Sequence, residues 1–176
     1  MNKLISEETL FNGPRFNLKR RIYENVEGKE YIRDYVDTQS ASIIIALTSD
    51  KKVVFIRQQR EISGLEDLEL PAGVIDEGED AITAARRELQ EETGYYANNI
   101  EYMGDYFASC GYSNEKLYFY LATDLEMRET HYDSDEVITG IQEIPIEECY
   151  EMVRNNQFPY ANINLGILLY QLKYEK

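Results

Sequence analysis

Apolar and polar residues alternate through residues 15–25 and again through 30–36. The turn-forming stretch Val26-Glu27-Gly28-Lys29 separates them, which predicts a β-hairpin. Residues 40–47 and 53–57 are richer in β-branched side chains and predict buried strands, joined through Thr48-Ser49-Asp50-Lys51. A short strand over 67–70 should stop at Pro71. The period then changes. Between Asp80, a suitable N-cap, and Gly94, a suitable left-handed closing residue, Ile82, Ala85 and Leu89 recur at helical spacing and predict a core-facing stripe. Strands follow over 100–107, 116–122 and 137–144, and two helices over 145–155 and 160–174 close the chain. Strands flanked by helices predict an α/β sandwich.

Length and composition narrow this picture. A chain of 176 residues with 43% hydrophobic side chains suits one globular domain with a small extension. No run approaches the roughly 20 apolar residues that span a bilayer, and residues 1–11 are polar and acidic, without a signal pattern. Cys110 and Cys149 form no disulfide framework, so a cytoplasmic location is expected. The net charge of -15 excludes nucleic acid and anionic membrane as partners, since both attract basic patches. A polyanionic small molecule can bind such a surface only where metal ions and a few arginines reverse the field.

The helix over 80–94 carries the candidate chemistry. At about 100° per residue, Glu88, Glu91 and Glu92 fall within one arc of a helix face, with the small Ala81 and Ala84 further back along it, leaving room above. Three carboxylates so placed repel one another by about 0.2–0.5 kcal/mol per pair on an open helix. A hard divalent cation explains the arrangement, because Mg²⁺ prefers carboxylate and water oxygens. Arg87 is then either a counter-charge holding a carboxylate in place or a surface partner. Gly73 is expected to permit a turn just before the helix that other residues resist. With Glu79, Arg87, Glu88, Glu91, Glu92 and Gly94 it completes a spaced pattern across 22 residues.

That pattern resembles the signature of the Nudix hydrolases: Gly73, five residues, Glu79, seven residues, Arg87-Glu88-Leu89-Gln90-Glu91-Glu92-Thr93-Gly94. Tyr95 stands where an aliphatic residue is usual. Outside the signature the chain is similar to the ADP-ribose pyrophosphatase branch. Arg57-Gln58-Gln59-Arg60 followed by Glu69-Leu70-Pro71-Ala72-Gly73 resembles that branch's arginine-bearing strand and entry to the signature. Ser109-Cys110-Gly111-Tyr112-Ser113-Asn114-Glu115 resembles its Ser-Pro-Gly-aromatic segment, except that Cys110 replaces the proline associated with ADP-ribose preference. Residues 157–169 resemble its closing segment.

The resemblance implies a Nudix-type α/β/α sandwich with a mixed sheet. Residues 1–40 would form a β-hairpin extension that joins two copies as a homodimer, and 41–176 the hydrolase domain. Glu88, Glu92 and the Ala72 carbonyl would be ligands of Mg²⁺, with Mn²⁺ as a substitute. Glu91 would be a ligand or the hydrogen-bond partner of a water on the metal. The general base would come from the acidic stretch after the long strands, Asp133 or Asp135 first and Glu136 next, with Asp135 also a candidate ligand. Glu115 is a further candidate near the site. Arg60, then Arg57 and Arg33, would contact the substrate, and Glu69 would accept from it or pair with an arginine. The implied reaction is metal-assisted hydrolysis of a nucleoside diphosphate linked to another group, ADP-ribose first, giving AMP and ribose 5-phosphate. The alternatives are other nucleoside diphosphate sugars, dinucleoside polyphosphates, or a nucleotide sensor that does not hydrolyse.

Overall fold

Side chains alternate across each strand, so pairing and burial together decide which strands form and which face each one covers. The computed structural model describes residues 1–60, 64–128 and 137–175. In chain order its elements are β1 (Lys3–Asn12), β2 (Phe16–Glu24), β3 (Glu30–Thr38), β4 (Ala41–Ala46), β5 (Lys52–Arg60), β6 (Leu65–Glu69), β7 (Ala72–Val74), α1 (Ala81–Thr93), β8 (Tyr95–Phe107), β9 (Lys116–Met127), β10 (Ile138–Pro145), α2 (Ile146–Arg154) and α3 (Ala161–Tyr174). They fall into two compact units: Met1–Ser40 with Tyr106–Leu117, and Ala41–Asp105 with Tyr118–Lys176.

In the first unit, β1, β2 and β3 form an antiparallel sheet in that order. The predicted hairpin is β2–β3. Its turn closes because Asn25 Oδ1 accepts from the backbone N–H of both Glu27 and Lys29 at 2.9 Å. The third strand, β1, is not expected from the sequence, where residues 1–11 are polar and acidic and the hairpin begins at residue 15. All of β1 is exposed, so it carries no burial pattern. It is held by its backbone ladder to β2, in the register Lys3↔Glu24, Glu7↔Arg21 and Asn12↔Asn17, with Arg21 bonded across the pair to Glu7. The Tyr106–Leu117 segment joins at Val36, whose N–H donates to the Tyr112 carbonyl at 2.7 Å.

The second unit is an α/β sandwich built on two sheets, β10-β5-β6 and β7-β4-β9-β8. Strand β4 shows the layering. Ile44 and Ala46 on one face join Ala85 and Leu89 of α1 in a buried cluster with Ala97, Tyr120 and Ala122. On the other face, Ile45 meets α3 at Gly166, where an added Cβ would lie 3.2 Å from Ile45 Cδ1 and 3.0 Å from Leu70 Cδ1. Helix α2 packs against α3, β10 and β5.

One expectation for α1 is corrected. Ile82, expected in the core stripe, is 37% exposed, and Ala84, expected in the open arc beside the carboxylates, is fully buried. The helix packs on β7 as well as β4, so its carboxylate side is covered too and the buried arc is rotated toward it. Truncating Leu89→Ala should therefore cost about 2–5 kcal/mol in urea unfolding, whereas Ile82→Ala should cost under about 1 kcal/mol. Equal losses would contradict this placement of the helix.

Candidate active site

Local signals set the helix that carries the site. Asp80 Oδ1 accepts from the Thr83 N–H at 2.8 Å, which closes the first turn; hydrogen bonding from the Thr83 side chain first, and from its N–H second, holds the Asp80 carboxyl below its ordinary pKa. Gly94 adopts φ 74°, a left-handed conformation, and its N–H returns to the Gln90 carbonyl at 2.8 Å. Ahead of the helix, β7 pairs with β4 through Ala41↔Val74, Ser42↔Gly73 and Ile43↔Ala72. Ser42 Oγ donates to the Ala81 carbonyl at 2.7 Å and ties the helix start to that strand.

These restraints gather the carboxylates against the β7 backbone. Glu92 is 1% exposed, and its Oε2 accepts from the Ala72 N–H at 2.9 Å. Glu88 is 8% exposed and lies directly over Gly73, where an added Cβ would stand 1.9 Å from the Glu88 Cδ. The glycine is needed there for space. Its φ lies outside the left-handed range, which corrects the expectation of a special turn. Glu91, one helical turn beyond Arg87, remains partly exposed.

A single guanidinium organises the cluster. Arg87 Nη1 donates to Glu88 Oε1 at 2.6 Å and to Glu91 Oε2 at 3.0 Å. Its Nε and Nη2 take the two oxygens of Glu79 at 3.1 and 2.9 Å, and Nη2 also reaches the Val74 carbonyl at 3.0 Å. Arg87 is thus a counter-charge inside the cluster rather than a surface partner. Its hydrogen bond to Glu79, helped by the other two carboxylates, outweighs burial and raises its pKa further. In return, Arg87 holds the Glu79 carboxyl below the usual carboxylate range.

The remaining sequence-derived residues divide by unit. Arg60 and Glu69 belong to the second unit and pair in a two-pronged bond, Nε to Oε1 at 2.8 Å and Nη2 to Oε2 at 2.7 Å, with Glu69 buried beneath. Of the two roles considered for Glu69, the structure displays pairing with an arginine. Arg57 points to the opposite face of β5 and donates to Gln142 Oε1 at 2.7 Å. Arg33 and Glu115 belong to the first unit. The Arg33 guanidinium lies 4.8 Å from the Tyr31 ring centroid, and burial raises the Glu115 pKa. Asp133, Asp135 and Glu136 lie outside the described residues. Among the described residues no group of three His, Cys, Asp or Glu side chains is arranged as a ready-made metal cage.

A loop with a required glycine, leading into a helix with buried glutamates around one arginine, is the geometry expected of the signature. The NUDIX domain family matches residues 37–162. The chain belongs to the Nudix family. Over 97% of its length it is 30% identical to an ADP-ribose pyrophosphatase of Bacillus subtilis strain 168, covering 93% of that protein. Over 93% of its length it is 31% identical to an ADP-ribose pyrophosphatase of Mycobacterium tuberculosis H37Rv, covering 80% of that protein. The fold matches a crystal structure of ADP compounds hydrolase with a TM-score of 0.86 at 22% identity, covering 97% of this chain and 92% of the other. Within the Nudix family it is a pyrophosphohydrolase. Among the described residues no helix is long and apolar enough to cross a membrane.

Two outcomes test this geometry. In Gly73→Ala the new methyl displaces only the flexible end of Glu88, so stability should stay within about 1 kcal/mol of wild type while turnover falls at least about tenfold. Calorimetry and steady-state assay on one preparation separate these effects. For Glu79, a lowered folded-state pKa adds stability above the ordinary carboxylate range, which is lost as pH falls through the lowered value. The stability gap between wild type and Glu79→Gln should therefore be largest near neutral pH and shrink on acidification, measured by urea unfolding across pH.

Proposed function

We propose that this protein hydrolyses ADP-ribose to AMP and ribose 5-phosphate with Mg²⁺, for which Mn²⁺ can substitute. The observation that carries the proposal is the burial of Glu88 and Glu92 against the β7 backbone, with Arg87 lying among their neighbours. The donor set fits a hard divalent ion: carboxylate oxygens crowded where Gly73 leaves no side chain in the way, with Glu92 held at the Ala72 backbone N–H. Glu88, Glu92 and the Ala72 carbonyl would hold the ion, and Asp135 is a further candidate ligand. When bound, the ion would neutralise charge on the diphosphate and promote attack by water.

The chain's own groups supply the rest. Glu91, partly exposed at the edge of the cluster, can accept a hydrogen bond from the attacking water and orient it. Water adds to one phosphorus as the bridging P–O bond breaks, and the departing phosphate oxygen carries the electron pair. A base takes the water's proton; we assign it to Asp133 or Asp135, then Glu136, with Glu115 as a further candidate. Arg60, with its planar fork steadied by Glu69, is assigned to the diphosphate or ribose phosphate. Arg57 and Arg33 are secondary contacts. Residues 1–40 serve as the extension that joins two copies in a homodimer, and 41–176 as the hydrolase domain. Two cysteines in no disulfide suit the cytoplasm.

Cys110, exposed where the branch carries proline, favours a second substrate reading: another nucleoside diphosphate sugar or a dinucleoside polyphosphate. A panel of these compounds with Mg²⁺, the products identified by mass, decides between them. ADP-ribose should be cleaved fastest, and Glu88→Gln or Glu92→Gln should lower kcat at least about 100-fold. Full-rate cleavage by both variants would end the proposal. Light scattering should give twice the chain mass, and a monomer at assay concentration counts against the dimer.

A further inference from the structure

Helix α1 leaves Gly94 directly into two tyrosines. Successive residues of a strand point to opposite faces, so Tyr95 and Tyr96 reach different partners from the start of β8. Tyr95 packs against the core cluster that contains Leu89, and its hydroxyl donates to Glu143 Oε1 on β10 at 2.7 Å. Glu143 belongs to the other sheet, where Lys52 Nζ on the adjacent β5 lies 3.8 Å from Glu143 Oε2 and 2.6 Å from Asp50 Oδ2. The Tyr96 ring centroid lies 3.5 Å from the guanidinium carbon of Arg128 and 5.8 Å from that of Arg86 on α1. The backbone closes the same region: Arg86 Nη1 donates to the Ala97 carbonyl, and the Arg128 N–H donates to the Gly94 carbonyl at 2.7 Å.

The last turn of a helix is where hydrogen bonds are lost first. Here that turn carries Glu91 and Glu92, within three residues of Gly94. We propose that Tyr95 and Tyr96 are positioning residues for this turn, Tyr95 through its hydroxyl and Tyr96 through its ring face, and that they tune the affinity of the carboxylates for a divalent ion. The inference rests on the metal reading given above. The usual aliphatic residue at position 95 could fill the core but could not tether the helix exit to β10.

Mn²⁺ titrated calorimetrically into metal-free protein provides the test, with amide hydrogen exchange at Gly94 and Arg128 as a second readout independent of metal and turnover. Tyr95→Phe and Tyr96→Leu should each weaken Mn²⁺ binding about three- to tenfold and speed exchange at those amides, with Tm within about 4 °C of wild type. Tyr96→Phe keeps the ring and should bind as wild type, so the same Tyr→Phe change has opposite consequences at adjacent positions. Glu143→Ala should reproduce Tyr95→Phe, and combining the two should add nothing. Tyr102→Phe, which removes a hydroxyl bonded to Asp105, should change neither readout. Unchanged Mn²⁺ affinity and exchange in both Tyr95→Phe and Tyr96→Leu would overturn the proposal, as would Tyr96→Phe behaving like Tyr96→Leu. Wild-type protein that takes up no Mn²⁺ would instead sink the metal reading, and the positioning role would then be decided by the exchange rates alone.

Discussion

Everything at the centre of this molecule depends on one guanidinium among carboxylates. Glu79, Glu88 and Glu91 converge on Arg87, and none of these side chains is fully open to water. Without the arginine, like charges this close and this far from water would drive the helix turn apart. With it, the carboxylates stay close together, Glu79 is held below the usual carboxylate range, and the cluster still has more acidic than basic side chains. That excess is the electrostatic condition a divalent cation would meet, and it arises within a chain whose acidic surface otherwise repels phosphates.

The surrounding fold serves to hold that charge cluster at one place on the backbone. Strand β7 is only three residues long, yet its pairing with β4 brings the Ala72 N–H to Glu92 and puts Gly73 beneath Glu88. Helix α1 meets the same strand β4 through Leu89 and through Ser42, so the two sides of the site share one support. Small movements of α1 against β4 change the separation of carboxylate and glycine, so under the proposed function ion affinity would follow helix packing. The Arg60–Glu69 pair likewise fixes a guanidinium fork on β5 against a buried carboxylate on β6.

The outer strand of the first unit follows a different physics. Strand β1 has no buried residue and owes its place to backbone hydrogen bonds and cross-strand ion pairs. Long exposed edges of this kind attract further pairing unless charged, and Lys3, Glu7 and Glu8 place charge along this strand.

The amino-acid sequence by itself determined the order of nearly all strands and helices, the caps at Asp80 and Gly94, and the common face of Glu88, Glu91 and Glu92. These follow from short-range periodicity and backbone preferences, which act between residues a few positions apart. Tertiary structure alone decided that β1 pairs, that Ala84 is buried while Ile82 is exposed, that Gly73 is required for space rather than for its φ, and that Glu69 turns to Arg60. Each of these depends on which distant segment covers a given face. A helical period shows that two faces differ, but burial of either one is settled by partners brought together from elsewhere in the chain.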